Sequence, residues 1–152
     1  MVELKFRDRF AIEQVQLNRG NFLLLDSAFD VVPGLKGKAR VDLMNGHWVF
    51  RDHFPDNPLF PASLMLEAMT QLAGLIMCSR EGAGRFPFYT TKVSSFSVSE
   101  SATNGDNLLV DVDILKFGRG VLSASGVITK ENCLVSRSEF QLISINEFGV
   151  SS

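Results

Sequence analysis

From Leu59 to Cys78 the chain reads LFPASLMLEAMTQLAGLIMC, its most apolar stretch. The length invites a membrane span. Pro61, Glu67, Thr70 and Gln71 argue against one, because a carboxylate in mid-bilayer is costly without a partner, whereas the same residues suit a helix buried inside a folded domain. Proline is well tolerated in a first turn, so the helix is expected to start near Pro61 and to end before Gly82. At about 100° per residue, Ser63, Glu67, Thr70, Gln71, Gly74 and Cys78 fall in one stripe. Leucine, methionine, alanine and isoleucine cover the remaining faces, so most of this helix is expected to lie in a core.

The flanking segments alternate instead at period two. In LKGKARVDL, Lys36, Lys38, Arg40 and Asp42 interleave with Leu35, Gly37, Ala39, Val41 and Leu43, as in a strand with one wet face. Pro33-Gly34 marks a turn before it, and the apolar run through residues 21–32 reads as β-rich. After the helix, Phe88 to Ser99 is rich in β-formers. LLVDVDILKF, VLSASGVIT and CLVSRSEFQLISI then follow one another across Gly118-Arg119-Gly120 and Lys130-Glu131-Asn132. Three strands on short loops imply an antiparallel meander. The N-terminal FRDRFAIEQVQL carries a weak helical pattern. A twisted antiparallel sheet around one apolar helix satisfies both the strand count and the helix composition, an α+β architecture.

The chain has 152 residues, 45% hydrophobic and 21% charged, which fits one domain spanning residues 1–152 with a single core. Fifteen basic against 17 acidic residues leave a net charge of −2, so no global positive field points to nucleic acid or an anionic membrane. Cys78 and Cys133 lack metal-site spacing and sit in apolar or strand-like segments, so both are expected as buried, reduced thiols. Residues 1–10 mix charges with apolar residues and contain no long apolar run, which points to a cytoplasmic protein.

Two histidines bound the histidine chemistry. His47, within Asn45-Gly46-His47-Trp48, reads as an ordinary turn residue. His53 opens a segment with Pro55, Pro58 and Pro61, and prolines fix φ and restrict the preceding residue, so this loop is stiff enough to hold an imidazole in place. Glu67 lies among Leu64, Met65, Leu66, Ala68 and Met69, surroundings that disfavour its charged form. With the free backbone N–H groups of Ala62 and Ser63 at a helix N-terminus, these parts suffice to remove a proton beside a thioester carbonyl, steady the enolate oxygen and protonate a departing hydroxyl. That chemistry needs no metal and no cofactor.

The segment from His53 to Gly74, HFPDNPLFPASLMLEAMTQLAG, resembles the signature of the FabZ/FabA-type 3-hydroxyacyl-[acyl carrier protein] dehydratases, HFPxxPxxPGxLxxEAMxQ, with the same interval from histidine to glutamate. Weaker similarity covers Arg19, Phe22 to Asp26, and Gly105-Asp106. The resemblance implies a hotdog fold and the conversion of a (3R)-hydroxyacyl thioester into a trans-2-enoyl thioester. It implies a homodimer, or a higher assembly of such dimers, in which His53 of one chain acts as base at C2 and Glu67 of the other as acid. The partner it implies is an acyl carrier protein with a phosphopantetheine-linked chain, in fatty-acid, polyene or polyketide synthesis. Ala62 and Ser63 would then contact the thioester, Gln71 would orient Glu67, and Phe54, Phe60 and Phe88 are candidates to line an acyl tunnel.

Three positions depart from the signature: Ala62 stands for a glycine, Asp52 for the glycine before the histidine, and Ser94 to Glu100 lacks the usual arginines. Arg80, Arg85, Lys116 and Arg119 offer either a substitute basic patch for an acidic carrier or ordinary solvated charges. Two other functions compete: a thioesterase of related fold, and a noncatalytic acyl-binding or assembly subunit.

Overall fold

The computed structural model describes residues 1–44 and 46–145. Strand β1 (Leu4–Phe6) leads into a short helix α1 (Arg9–Glu13), started by Asp8, whose carboxylate accepts the Ala11 N–H at 2.9 Å. Strands β2 (Ser27–Val32) and β3 (Lys36–Asp42) follow, then a 3-10 turn over Trp48–Arg51 and the long helix α2 (Ala62–Cys78). Strands β4 (Phe88–Val98), β5 (Asn107–Gly118), β6 (Val121–Lys130) and β7 (Cys133–Ser144) complete one antiparallel sheet in the order β1-β2-β3-β5-β6-β7-β4. This is the sheet wrapped around an apolar helix that the hotdog resemblance implies.

Local chemistry explains the connections. The β5–β6 and β6–β7 loops each place two residues at positive φ, Arg119 (52°) with Gly120 (73°) and Glu131 (47°) with Asn132 (65°). That geometry matches the right-handed twist of the flanking strands, so the meander closes with two-residue turns. In β3 burial alternates residue by residue, with Gly37, Ala39 and Val41 inward. The run before β2 departs from its expected strand: residues 20–22 form a 3-10 turn, and Leu23, Leu24 and Leu25 are buried without ladder pairing. Core contact rather than a neighbouring strand holds them.

Helix α2 supplies the centre of the core. Met65, Met69, Leu72, Leu75, Ile76 and Met77 are almost fully buried, against Ala39, Val41, Val110, Val112, Ala124 and Ile128 of β3, β5 and β6. Met69 lies directly on Gly126, where an added Cβ would meet its Sδ at 2.7 Å, so a residue without a side chain sets how closely helix and sheet approach. Pro61 is the N-cap rather than a first-turn residue. No helix among the described residues is long and apolar enough to cross a membrane.

The helix does not cover the whole sheet. Val93, Phe96 and Val98 of β4 stand opposite Phe140, Ser138 and Ser136 of β7, all three buried on the inner face. Directly paired residues share a face, so those three apolar side chains also point inward. They nevertheless remain 40%, 36% and 44% exposed. Strand β4 is also a sheet edge of 11 residues whose outer side pairs with no other strand among the described residues.

Of the two cysteines, Cys78 is buried as expected, but Cys133 is exposed, which corrects the expectation for that residue. It directly follows the tight turn at Glu131 and Asn132, where β7 has not yet entered the core.

Candidate active site

The polar stripe of α2 forms the floor of a cleft of about 520 Å³. Glu67, Thr70, Gln71, Gly74 and Cys78 all line it, facing Gln16 to Asn18 on one side and Phe86 to Thr90 with Leu142 on the other. Five of the six stripe residues picked out by helical periodicity therefore share one surface. The sixth, Ser63, sits exposed at the helix N-terminus, outside the cleft.

Glu67 is held in place through its neighbours one turn on. The Gln71 Nε2 donates to Glu67 Oε1 at 2.8 Å and to the Phe22 carbonyl at 2.6 Å, while Gln71 Oε1 accepts the Leu24 N–H at 2.9 Å. One buried amide thus ties the carboxyl to the irregular segment before β2, which explains why that segment avoids the sheet ladder. The Thr70 hydroxyl lies 2.9 Å from the Glu67 carbonyl and 3.3 Å from Oε2.

His53 occupies a different surface. Its Nδ1 lies 2.9 Å from the Leu59 carbonyl, and the Leu59 N–H donates back to the His53 carbonyl at 2.9 Å. Since a carbonyl only accepts, Nδ1 is the donor in this contact, and in the neutral ring the lone pair then sits on Nε2, the tautomer that can act as a base there. Phe54 and Asn57 exchange backbone hydrogen bonds at 3.2 and 3.1 Å, and the Phe60 N–H donates to Ala102 O at 2.7 Å, so the proline-rich loop is pinned along its length. The Phe54 ring, half exposed, stacks on the imidazole at 4.1 Å. Beside it, the Asp52 carboxylate pairs with Arg51 at 3.1 Å, on a well-exposed surface.

Ala62 and Ser63 start α2, and the first helical bonds run from Leu64 and Met65 to the Pro61 carbonyl, leaving the two preceding N–H groups ahead of the ladder. Ala62 has ordinary helical geometry, so its methyl group brings no backbone strain. Phe88 lines the cleft with its ring against Gly74, where an added Cβ would lie 3.5 Å from Cδ2. Phe60 lies elsewhere: it is 3% exposed and packs edge-on against His47 inside the core.

His47 itself caps the 3-10 turn through Nδ1, which faces the Val49 N–H at 3.5 Å. Burial lowers its pKa; Arg9 adds to that effect, and Asp26 and Asp42 oppose it. Its neighbour Asn45 lies outside the described residues. Burial conversely raises the Cys78 pKa, against the Phe86 carbonyl and Arg80. At the same end of α2 the Arg80 guanidinium stacks 4.7 Å above Phe117, near Lys116 and Arg119 of the neighbouring hairpin.

The structure thus brings Glu67, Gln71 and Phe88 together in the cleft, and places His53 and Phe54 in the pinned loop that leads into the helix N-terminus at Ala62 and Ser63. It does not join the two sets within one chain, because none of the second group lines the cleft. Gln16 was not legible as a cleft residue, since no pattern in its own segment points to α2.

Comparison with known proteins identifies the family. Residues 17–139 match the FabA-like domain family. A 3-hydroxyacyl-[acyl-carrier-protein] dehydratase FabZ of Enterococcus faecalis is 30% identical over 76% of this chain and 86% of its own length. The FabZ of Vibrio cholerae is 31% identical over 86% of each. Among solved structures, the dehydratase heterocomplex ApeI:P of Xenorhabdus doucetiae superposes with a TM-score of 0.78 at 12% identity, covering 90% of this chain and 93% of that one. A hypothetical thioesterase from Streptococcus pneumoniae, solved with coenzyme A, gives 0.57 at 14% identity over 74% and 80%. At such identities the structural likenesses speak to the hotdog fold alone, while the family match and the curated relatives cover most of the molecule, and the chain belongs to the FabA-like domain family.

Proposed function

We propose that this chain dehydrates a (3R)-3-hydroxyacyl thioester on an acyl carrier protein to the trans-2-enoyl thioester, as a cytoplasmic homodimer serving fatty-acid, polyene or polyketide synthesis. The observation that carries the reading is the separation of the two halves of an acid–base pair. Glu67 is oriented within a cleft by Gln71, and His53, oriented as a base by Leu59 O, lies outside that cleft.

A second copy set against the open β4 edge and the uncovered Val93, Phe96 and Val98 would bring its His53 to the first copy's Glu67. The His53 Nε2 removes the C2 proton, and the C2 electron pair forms the new double bond to C3. The Glu67 carboxyl, held by Gln71 at Oε1 and by Thr70 at Oε2, delivers the proton with which the C3 hydroxyl leaves as water when the C3–O bond breaks. The Ala62 and Ser63 N–H groups receive the negative charge that builds on the thioester oxygen.

Incubation with a 3-hydroxyacyl carrier thioester should yield an enoyl chain; free acid would indicate a thioesterase, and unchanged substrate a noncatalytic subunit. His53→Ala and Glu67→Gln should each lower kcat by at least about 100-fold, the lower range for loss of one acid or base. Mixing the two variants under subunit exchange should recover part of the activity. Demonstrated exchange without recovery contradicts the shared site.

A further inference from the structure

Gln16 is 4% exposed, lines the same cleft as Glu67, and has no hydrogen-bond partner for its side-chain Nε2 among the described residues. Its backbone is fully engaged: the N–H donates to Ile12 O at 3.0 Å, and the carbonyl accepts from Arg19 Nη1 at 2.7 Å. The amide alone is left over. Gln71, the other buried glutamine of the cleft, has both of its amide atoms bonded. A buried donor without an acceptor is unfavourable, and a hydrocarbon tail beside it offers no relief. The terminal torsion of glutamine is broad and cheap to turn, so the amide can present its donor edge to whatever fills the cleft.

If Glu67 marks the C3 hydroxyl, the remaining floor at Thr70, Gly74 and Cys78 runs about 16 Å further along α2 at 1.5 Å per residue from Glu67 to Cys78. Acyl carbons beyond C3 occupy that length. From this we infer that Gln16 reads the acyl chain: it donates to an acceptor oxygen, hydroxyl or keto, carried beyond C3, and so favours oxygen-bearing acyl chains over plain ones. The inference rests on the dehydratase reading and adds a substrate class to it.

The test compares kcat/KM of the full chain for 3-hydroxyacyl-pantetheine thioesters of one length, the plain chain against a set bearing one extra hydroxyl or keto oxygen at successive carbons beyond C3. At least one oxygenated member should be preferred by about tenfold, the size of one hydrogen bond. Gln16→Leu should abolish that preference, lowering kcat/KM for the oxygenated member about tenfold relative to the plain chain, and Gln16→Met should do the same, which guards against a folding artefact. No preference in the unaltered protein, a preference that survives Gln16→Leu, or an equal loss on every substrate would overturn the assignment, the last by giving the amide to a structural water or the subunit interface.

Calorimetric binding of the corresponding 3-deoxy thioesters, which cannot lose water, separates the two ideas. An oxygen preference in binding without any turnover of the 3-hydroxy series would uphold Gln16 and sink the dehydratase reading. Turnover with no preference in either assay would do the reverse.

Discussion

Gln71 is 4% exposed and makes three hydrogen bonds, which together tie the catalytic candidate Glu67 to the segment before β2. Gln71→Leu keeps the volume but strands the buried Leu24 N–H and frees Glu67. We expect a stability loss of about 1–3 kcal/mol, read from urea unfolding, since an unmet buried group costs that much. On the dehydratase reading kcat should fall while KM changes little, because the carboxyl loses its orientation and the acyl contacts remain. His47 reports on pH instead. Its pKa in the folded chain is lowered from 6.5 by burial, so the unfolded chain binds a proton that the folded one resists. Stability from this residue is complete above the unfolded value and is lost as pH falls through the folded one. Asparagine keeps a cap acceptor without the titration. Between about pH 7 and about pH 5, His47→Asn should therefore lose less melting temperature than the unaltered protein.

Helix and sheet meet most tightly at Met69 and Gly126, where a Cβ on Gly126 would lie 2.7 Å from Sδ, 2.9 Å from Cγ and 3.1 Å from Cβ of the methionine. The last two distances involve the stiff base of the side chain, so rotation of its end does not relieve them. Gly126→Ala should destabilise by about 1–3 kcal/mol, the usual cost of overpacking. Met69→Ala leaves a cavity, but the double variant should be more stable than the sum of the two losses, since each change makes room for the other. Chemical denaturation of the four proteins in the cycle checks this; strict additivity would mean that the two residues do not limit the approach of α2 to β6.

Strand β4 asks for a partner on two counts: an unpaired edge, and inward apolar side chains that α2 does not reach. Exposed edges of this length and apolarity are aggregation-prone unless paired or covered. A homodimer answers both needs and completes the proposed site. Size-exclusion chromatography with light scattering should give twice the 16.8 kDa chain mass. Replacing Val93 and Phe96 with glutamate should yield monomers with an intact far-ultraviolet spectrum and little dehydration, at least about 100-fold below the dimer if the site loses its base. Full activity in the monomer would remove the shared site.

Periodicity and composition alone determined much of this protein. The approximate extent of α2, the alternation of β3, the β5–β6–β7 meander and the polar stripe of Glu67, Gln71, Gly74 and Cys78 follow from side-chain spacing and turn chemistry, which act over a few residues. The stiffness of the proline-rich loop likewise follows from its prolines, and its backbone hydrogen bonds add to it. What only the tertiary structure decided involves residues distant along the chain. Gln71 holding Phe22 and Leu24 spans 49 and 47 positions, and it is this contact that draws residues 22–25 out of a β-ladder. The placement of Phe60 in the core, the exposure of Cys133, the bare inner face of β4 and the unpaired amide of Gln16 also depend on which surfaces meet when the sheet closes around the helix. Local patterns encode the shape of each element; burial is shared among elements, and so is fixed only when they pack.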